Sequence, residues 1–109
     1  IKQEWIESFL SAMKSDCEWK EYKTYTQLQE YMVGSAEVVG LMMCQIIGYP
    51  PHDQEKTFYH ARKLGEAMQY TNFLRDIKED RVERQRIYIP QDRLTPFGLD
   101  QNDIKKYCE

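Results

Sequence analysis

The 109-residue sequence has few cysteines, few glycines and prolines, and no excess of positive charge. Its three cysteines (Cys17, Cys44 and Cys108) are odd in number and far apart, which excludes a disulfide framework and a paired-cysteine zinc module. A reduced intracellular, cytoplasmic setting is the default. Lys and Arg number 15 against 18 Asp and Glu, a formal charge of −3. The basic face that non-specific nucleic-acid binding needs is therefore missing. Apolar runs are short as well. The longest, 38–48, contains Gln45 and falls well below the roughly 20 residues that span a bilayer. No repeat, low-complexity tract or targeting segment is visible, and no strand reads longer than Ile87-Tyr88-Ile89. The chain starts at Ile1 and stops just after a new helical pattern begins, so it is expected to be an internal piece of one larger domain.

What remains is helical. Trp5, Ile6, Phe9, Leu10 and Met13 keep the spacing of an amphipathic helix. Asp16 to Tyr25 reads as a connection, and Thr24 or Thr26 can cap a second helix, with Gln27 or Gln29 as the capping-box partner. That helix should run to about Ile47 and stop at Gly48, before the rigid Pro50-Pro51 break. Asp53 is a plausible N-cap for a third helix over about Gln54 to Arg84, and Asp100 caps a fourth, with Asp103 in its first turn. Pro90, Pro96 and Gly98 punctuate the loop between them. Gly34, Gly40, Ala61 and Gly65 are unusual inside helices, because each glycine costs about 1 kcal/mol against alanine. Two offsets are open: close helix–helix packing, or room for an elongated ligand between the helices.

The stretch 69–80 carries the chemistry. Residues four apart share a helix face, so Asn72, Asp76 and Asp80 form a column of oxygen donors flanked by Gln69 and Glu79. Oxygen donors suit a hard cation such as Mg²⁺, which keeps several waters and takes one or two carboxylates plus phosphate oxygens from a substrate. Arg75 and Arg86 can neutralise such a phosphate group. Such a run is usually a solvated helix end, since nine of the residues from Arg75 to Arg86 are charged and spaced for i, i+3 and i, i+4 pairs. Spacing alone leaves both readings open.

The string Gln69-Tyr-Thr-Asn72-Phe-Leu-Arg75-Asp76-Ile-Lys-Glu-Asp80, followed by Arg86-Ile-Tyr88-Ile-Pro90, resembles the second aspartate-rich motif of the squalene/phytoene synthase family and its trailing segment. Tyr31-Met-Val-Gly34-Ser-Ala-Glu-Val-Val-Gly40-Leu-Met-Met resembles the family's substrate helix, in the manner of bacterial or archaeal phytoene synthases. The resemblance implies an all-α, partial isoprenoid-synthase fold with long helices around an apolar cavity. It implies Mg²⁺-dependent head-to-head joining of two geranylgeranyl diphosphates to phytoene through a cyclopropyl diphosphate. The alternatives are a dehydrosqualene or squalene synthase using farnesyl diphosphate, with NADPH if squalene is the product, and a non-catalytic assembly protein. Carried over by position, Asn72, Asp76 and Asp80 hold the metal, and Gln69 and Arg75 meet the diphosphate. Tyr31 lines the reaction pocket, with Gly34, Val39, Gly40, Ala61 and Gly65 along the prenyl channel and Arg86 and Tyr88 near the diphosphate end. The catalytic set is Tyr31, Arg75, Asp76 and Asp80. The family's first aspartate-rich motif has no match here, so these 109 residues alone are expected to be inactive. The parent is expected to touch membrane surfaces peripherally, because its product is very apolar.

Among the rest, Trp5 and Trp19 read as packing residues, His52 and His60 as surface residues, and the cysteines as free thiols. Met13, Met32, Met42, Met43 and Met68 fall at core spacings, with Met68 also within reach of a substrate.

Overall fold

The structure is a computed structural model and describes residues 1–18 and 20–108; Trp19 lies outside the described residues. The fold is all-α. In chain order the elements are α1 (Gln3–Ser15), the two-residue strand β1 (Lys20–Glu21), α2 (Tyr25–Met32), a π-helical turn (Val33–Glu37), α3 (Val38–Ile47), α4 (Gln54–Arg75), α5 (Ile77–Glu83), β2 (Arg86–Ile87), α6 (Gln91–Leu94) and α7 (Gln101–Tyr107). Short 3₁₀ turns cover Pro51–Asp53 and Thr95–Phe97. β1 and β2 pair in parallel, Lys20 opposite Arg86 and Glu21 opposite Ile87, and so bring the segment after α5 back beside the end of α1.

Local sequence explains most boundaries. The Thr24 hydroxyl accepts from the Gln27 N–H at 3.2 Å and starts α2, while the Gln27 side chain accepts from the Lys23 N–H at 2.9 Å, one residue earlier than a capping box requires. Asp100 and Asp103 form a full capping box at α7. Gly48, at φ 91°, turns the chain out of α3.

Three expectations are corrected. In α1 the core-facing side chains are Trp5, Phe9, Ala12 and Met13, whereas Ile6 and Leu10 are exposed. Neighbours α3 and the π turn cover only one stripe of the helix. The second helix is continuous over 25–47 but passes through the π turn, where Gly34 and Ala36 are buried. The third helix breaks at Asp76, whose φ of −102° and ψ of 19° leave the helical region and divide it into α4 and α5. Its ladder survives the break on one side: the Asp76 N–H donates to the Asn72 carbonyl at 2.9 Å, and the Asp80 N–H to the Asp76 carbonyl at 2.8 Å.

Two cores flank the π turn. Tyr22, Leu28, Met32, Phe73, Tyr88 and Ile89 form one. Trp5, Val38, Leu41 and Phe58 form the other, with Trp5 edge-on to Phe58 at 5.5 Å. Helix 25–47 is long and apolar enough, by length and composition alone, to cross a membrane. Its Leu28, Met32, Ala36, Val38 and Leu41 are buried against the rest of the chain, while Val33, Val39, Met43, Ile46 and Ile47 are exposed.

Candidate active site

Small residues bring α3 and α4 together. A Cβ built on Gly40 would stand 2.7 Å from the Ala61 carbonyl oxygen, and one on Gly65 2.7 Å from that of Ala36. Close packing and ligand space coexist at this crossing, because an apolar groove of about 780 Å³ runs along it, with Val39, Gly40, Ala61, Gly65 and Met68 in its walls. Gly34 lies elsewhere. It presses on the Ser8 carbonyl and Ala12 of α1 and borders a separate polar groove. Gly34 faces α1 and Gly40 faces Ala61 of α4, so the two glycines do not serve the same wall. Met43 and Met68 are 48% and 60% exposed and line the groove rather than the core, and His60 borders it too.

At the other end of α4 is a cleft of about 250 Å³. Gln69 and Asn72 line it from α4, Asp76 from the break, Asp80 from α5, Tyr31 from α2, Asp16 from the end of α1, and Arg84, Arg86 and Tyr88 from the end of α5 and the segment after it. Ser35, Gln69 and Asn72 border both the cleft and the groove, so the polar space opens into the apolar one. The Ser35 hydroxyl is buried there and has no hydrogen-bond partner among the described residues.

The carboxylates are matched by arginines. Arg75 grips Asp76 through two bonds of 2.7 and 2.8 Å, which hold the Asp76 carboxyl below its ordinary pKa. Arg75 itself is exposed, on the rim and not in the lining. Asp80 is buried, and burial pushes its carboxyl upward against the pull of Arg84, which donates to it at 2.9 Å and to Glu79 at 2.9 Å. Among the described residues no group of three or more His, Cys, Asp or Glu side chains is gathered as a metal cluster. Asn72, Asp76 and Asp80 nevertheless present an oxygen-only donor set to one cleft.

Above the acids sits an aromatic stack. Phe73 and Tyr88 lie face to face at 4.1 Å, and Tyr31 is 5.8 Å from Tyr88. The Tyr31 hydroxyl donates to Asp16 Oδ2 at 2.6 Å and the Tyr88 hydroxyl to Asp16 Oδ1 at 3.2 Å. Arg86 donates to the Asp16 carbonyl and, at 3.3 Å, to the Tyr88 hydroxyl. Desolvation first, then the bond to Asp16, raises the Tyr31 phenol far above its ordinary range.

Sequence reasoning missed Asp16, Ser35, Phe73 and Arg84. Asp16 stands 15 residues before Tyr31 and 72 before Tyr88, and no periodicity connects such positions. Phe73 lies inside the recognised string without a role of its own there, and Arg84 lies in the charged run from Arg75 to Arg86 as one charge among many.

The chain belongs to the squalene/phytoene synthase family, whose profile matches residues 1–107. It is 37% identical over 102 residues to a chloroplastic phytoene synthase of an Oncidium hybrid cultivar, covering 91% of this chain and 24% of the relative. It is 39% identical over 98 residues to the chloroplastic phytoene synthase 1 of Solanum lycopersicum, covering 87% and 24%. With phytoene synthase 1 of Arabidopsis thaliana, also chloroplastic, it shares 37% over 98 residues, covering 87% and 23%. The chain thus spans about a quarter of the length of these curated relatives. No solved structure matches the chain significantly.

Proposed function

We propose that the cleft and groove are part of the active site of a head-to-head prenyltransferase that joins two geranylgeranyl diphosphates to phytoene through a cyclopropyl diphosphate. The observation that carries this reading is the junction at Ser35, Gln69 and Asn72, where an apolar groove meets a polar cleft. An amphiphile with a long hydrocarbon tail and an anionic head fits that junction. Each CH₂ buried along Val39, Gly40, Ala61 and Gly65 contributes about 0.8 kcal/mol. Those walls also keep water from carbocations. Relatives named phytoene synthases support placing this reading on the phytoene branch.

Gln69 and Asn72 turn their amides toward the head group, and Arg75 and Arg86 offset its charge from the rim and the floor. Asn72, Asp76 and Asp80 suit Mg²⁺: their donors are all oxygen, two are carboxylates, and the unpartnered Ser35 hydroxyl adds a polar atom beside them. When bound, the metal supplies Lewis-acid stabilisation of the charge that develops on the departing diphosphate. The parent protein acts at a membrane surface that accepts its apolar product, takes prenyl diphosphate as its partner and does not bind nucleic acid.

Product analysis of the full gene product tests this. Supplied with Mg²⁺ and C20 diphosphate it should release phytoene, and Asp76→Ala should lower turnover by about 100-fold or more while the far-ultraviolet spectrum is unchanged. Product from C15 diphosphate alone, as dehydrosqualene or, with NADPH, squalene, would move the protein to the other branch of the family. No turnover with either substrate would leave the assembly-protein alternative standing.

A further inference from the structure

We infer that Asp16 is a positioning residue for Tyr31 in this site, which rests on the reading above. Asp16 follows the last turn of α1 and belongs to neither of the motifs that carry the cleft. It is nevertheless the point where three elements meet. One carboxylate oxygen accepts a hydrogen bond from the Tyr31 hydroxyl of α2 at 2.6 Å, the other accepts from the Tyr88 hydroxyl of the segment after β2 at 3.2 Å, and its backbone carbonyl accepts from an N–H of Arg86. Arg86 in turn donates to Tyr88, so the chain of bonds runs Arg86 to Tyr88 to Asp16, with Tyr31 entering from the other side.

The direction of these bonds decides what Tyr31 can do. A phenol has one proton, and here it is committed to a carboxylate in a short, charge-assisted bond. Tyr31 is therefore not a proton donor to a departing diphosphate. Its oxygen keeps a lone pair and gains electron density from the bond to Asp16. Beside a cleft where positive charge develops on carbon, such an oxygen stabilises the cation. Asp16 itself borders the cleft, but its carboxylate is taken up by Tyr31 and Tyr88. It holds Arg86 only through its backbone carbonyl, so Asp16→Asn leaves that contact and the Asn72, Asp76 and Asp80 donors in place.

A double-mutant cycle in the full gene product reads this. Asp16→Asn keeps the shape but weakens the acceptor, and is expected to lower kcat by about tenfold or more, with KM for the prenyl diphosphate and Mg²⁺-dependent binding of inorganic pyrophosphate within about threefold of wild type. On a Tyr31→Phe background the same change should cost less than about threefold, because the bond it weakens is already gone. Asp16→Glu, which restores a carboxylate, should recover turnover to within about fivefold of wild type, and circular dichroism should show all variants folded. Additive losses, an unchanged kcat in Asp16→Asn, or a fall in pyrophosphate affinity that matches the fall in turnover would overturn the inference. A wild-type protein without turnover would instead overturn the proposed function.

Discussion

Gln85 is the non-glycine residue with positive φ among the described residues, at 56°, on the bend that leads from α5 into β2. A side chain there costs energy that glycine does not, and the Gln85 side chain is not needed by the cleft, whose lining resumes at Arg86. Gln85→Gly is expected to raise stability by about 0.5–1 kcal/mol, seen as a higher urea midpoint at unchanged slope. The opposite holds where glycine is required. Gly65 faces the Ala36 carbonyl oxygen at a distance no Cβ tolerates, and that atom is backbone, so it cannot swing away. Gly65→Ala should gain helix propensity yet lose on the order of 1–2 kcal/mol overall and narrow the groove. Its thermal midpoint should fall, and Gly34→Ala should fall similarly without touching the groove, because Gly34 packs on α1.

The helices themselves carry a second kind of information. The π turn at Val33–Glu37 lies between Tyr31 and Val39, the residues that serve the cleft and the groove. One wide turn re-aims the helix, so a single element lines a polar cleft at one end and an apolar wall at the other. The break at Asp76 does the same for α4 and α5. It ends a 22-residue helix that is about 33 Å long and lets α5 bend over Tyr88, while the Asn72–Asp76–Asp80 ladder is kept on one face. Neither feature has a propensity signature: the sequence from Gln54 to Arg84 reads as one helix, and nothing between Tyr25 and Ile47 announces a π turn. Both are imposed by packing on neighbouring elements. The carboxylate column was legible because it depends only on i, i+4 spacing, which the break preserves.

Stability as a function of pH belongs to the molecule as a whole, since phenols and acids from several elements contribute. Tyr22, Tyr25, Tyr31 and Tyr88 all have raised pKa values, with burial the largest cause in each, and Tyr25 is pushed up to about 12. A group whose folded-state value exceeds its unfolded one contributes stability that is complete below the unfolded value, near 10 for a phenol, and is lost as pH rises through the folded one. The thermal midpoint should therefore fall steadily above about pH 10. At the acid end Glu66 runs the other way. Burial alone would raise it, but bonds from Tyr25 at 2.8 Å and Gln29 at 3.1 Å and the nearby Lys63 bring it below its ordinary value. That contribution is present above the ordinary glutamate value and fades as pH drops below it. Tyr25→Phe removes one bond that both limbs share, so midpoints measured from pH 3 to 12 should vary less at both ends than in wild type.

Periodicity, capping and short motifs are local properties, and they were enough for the all-α class, the caps at Thr24 and Asp100, the Asn72–Asp76–Asp80 face and membership of the squalene/phytoene synthase family. Each depends on residues within a few positions of one another, so the chain carries it before folding. The meeting of Asp16 with Tyr31 and Tyr88, the separate duties of Gly34 and Gly40, and the opening of the cleft into the groove at Ser35 depend on elements far apart in the chain. Those follow from how closely the helices approach and at what angle, which is settled only when the side chains pack against one another.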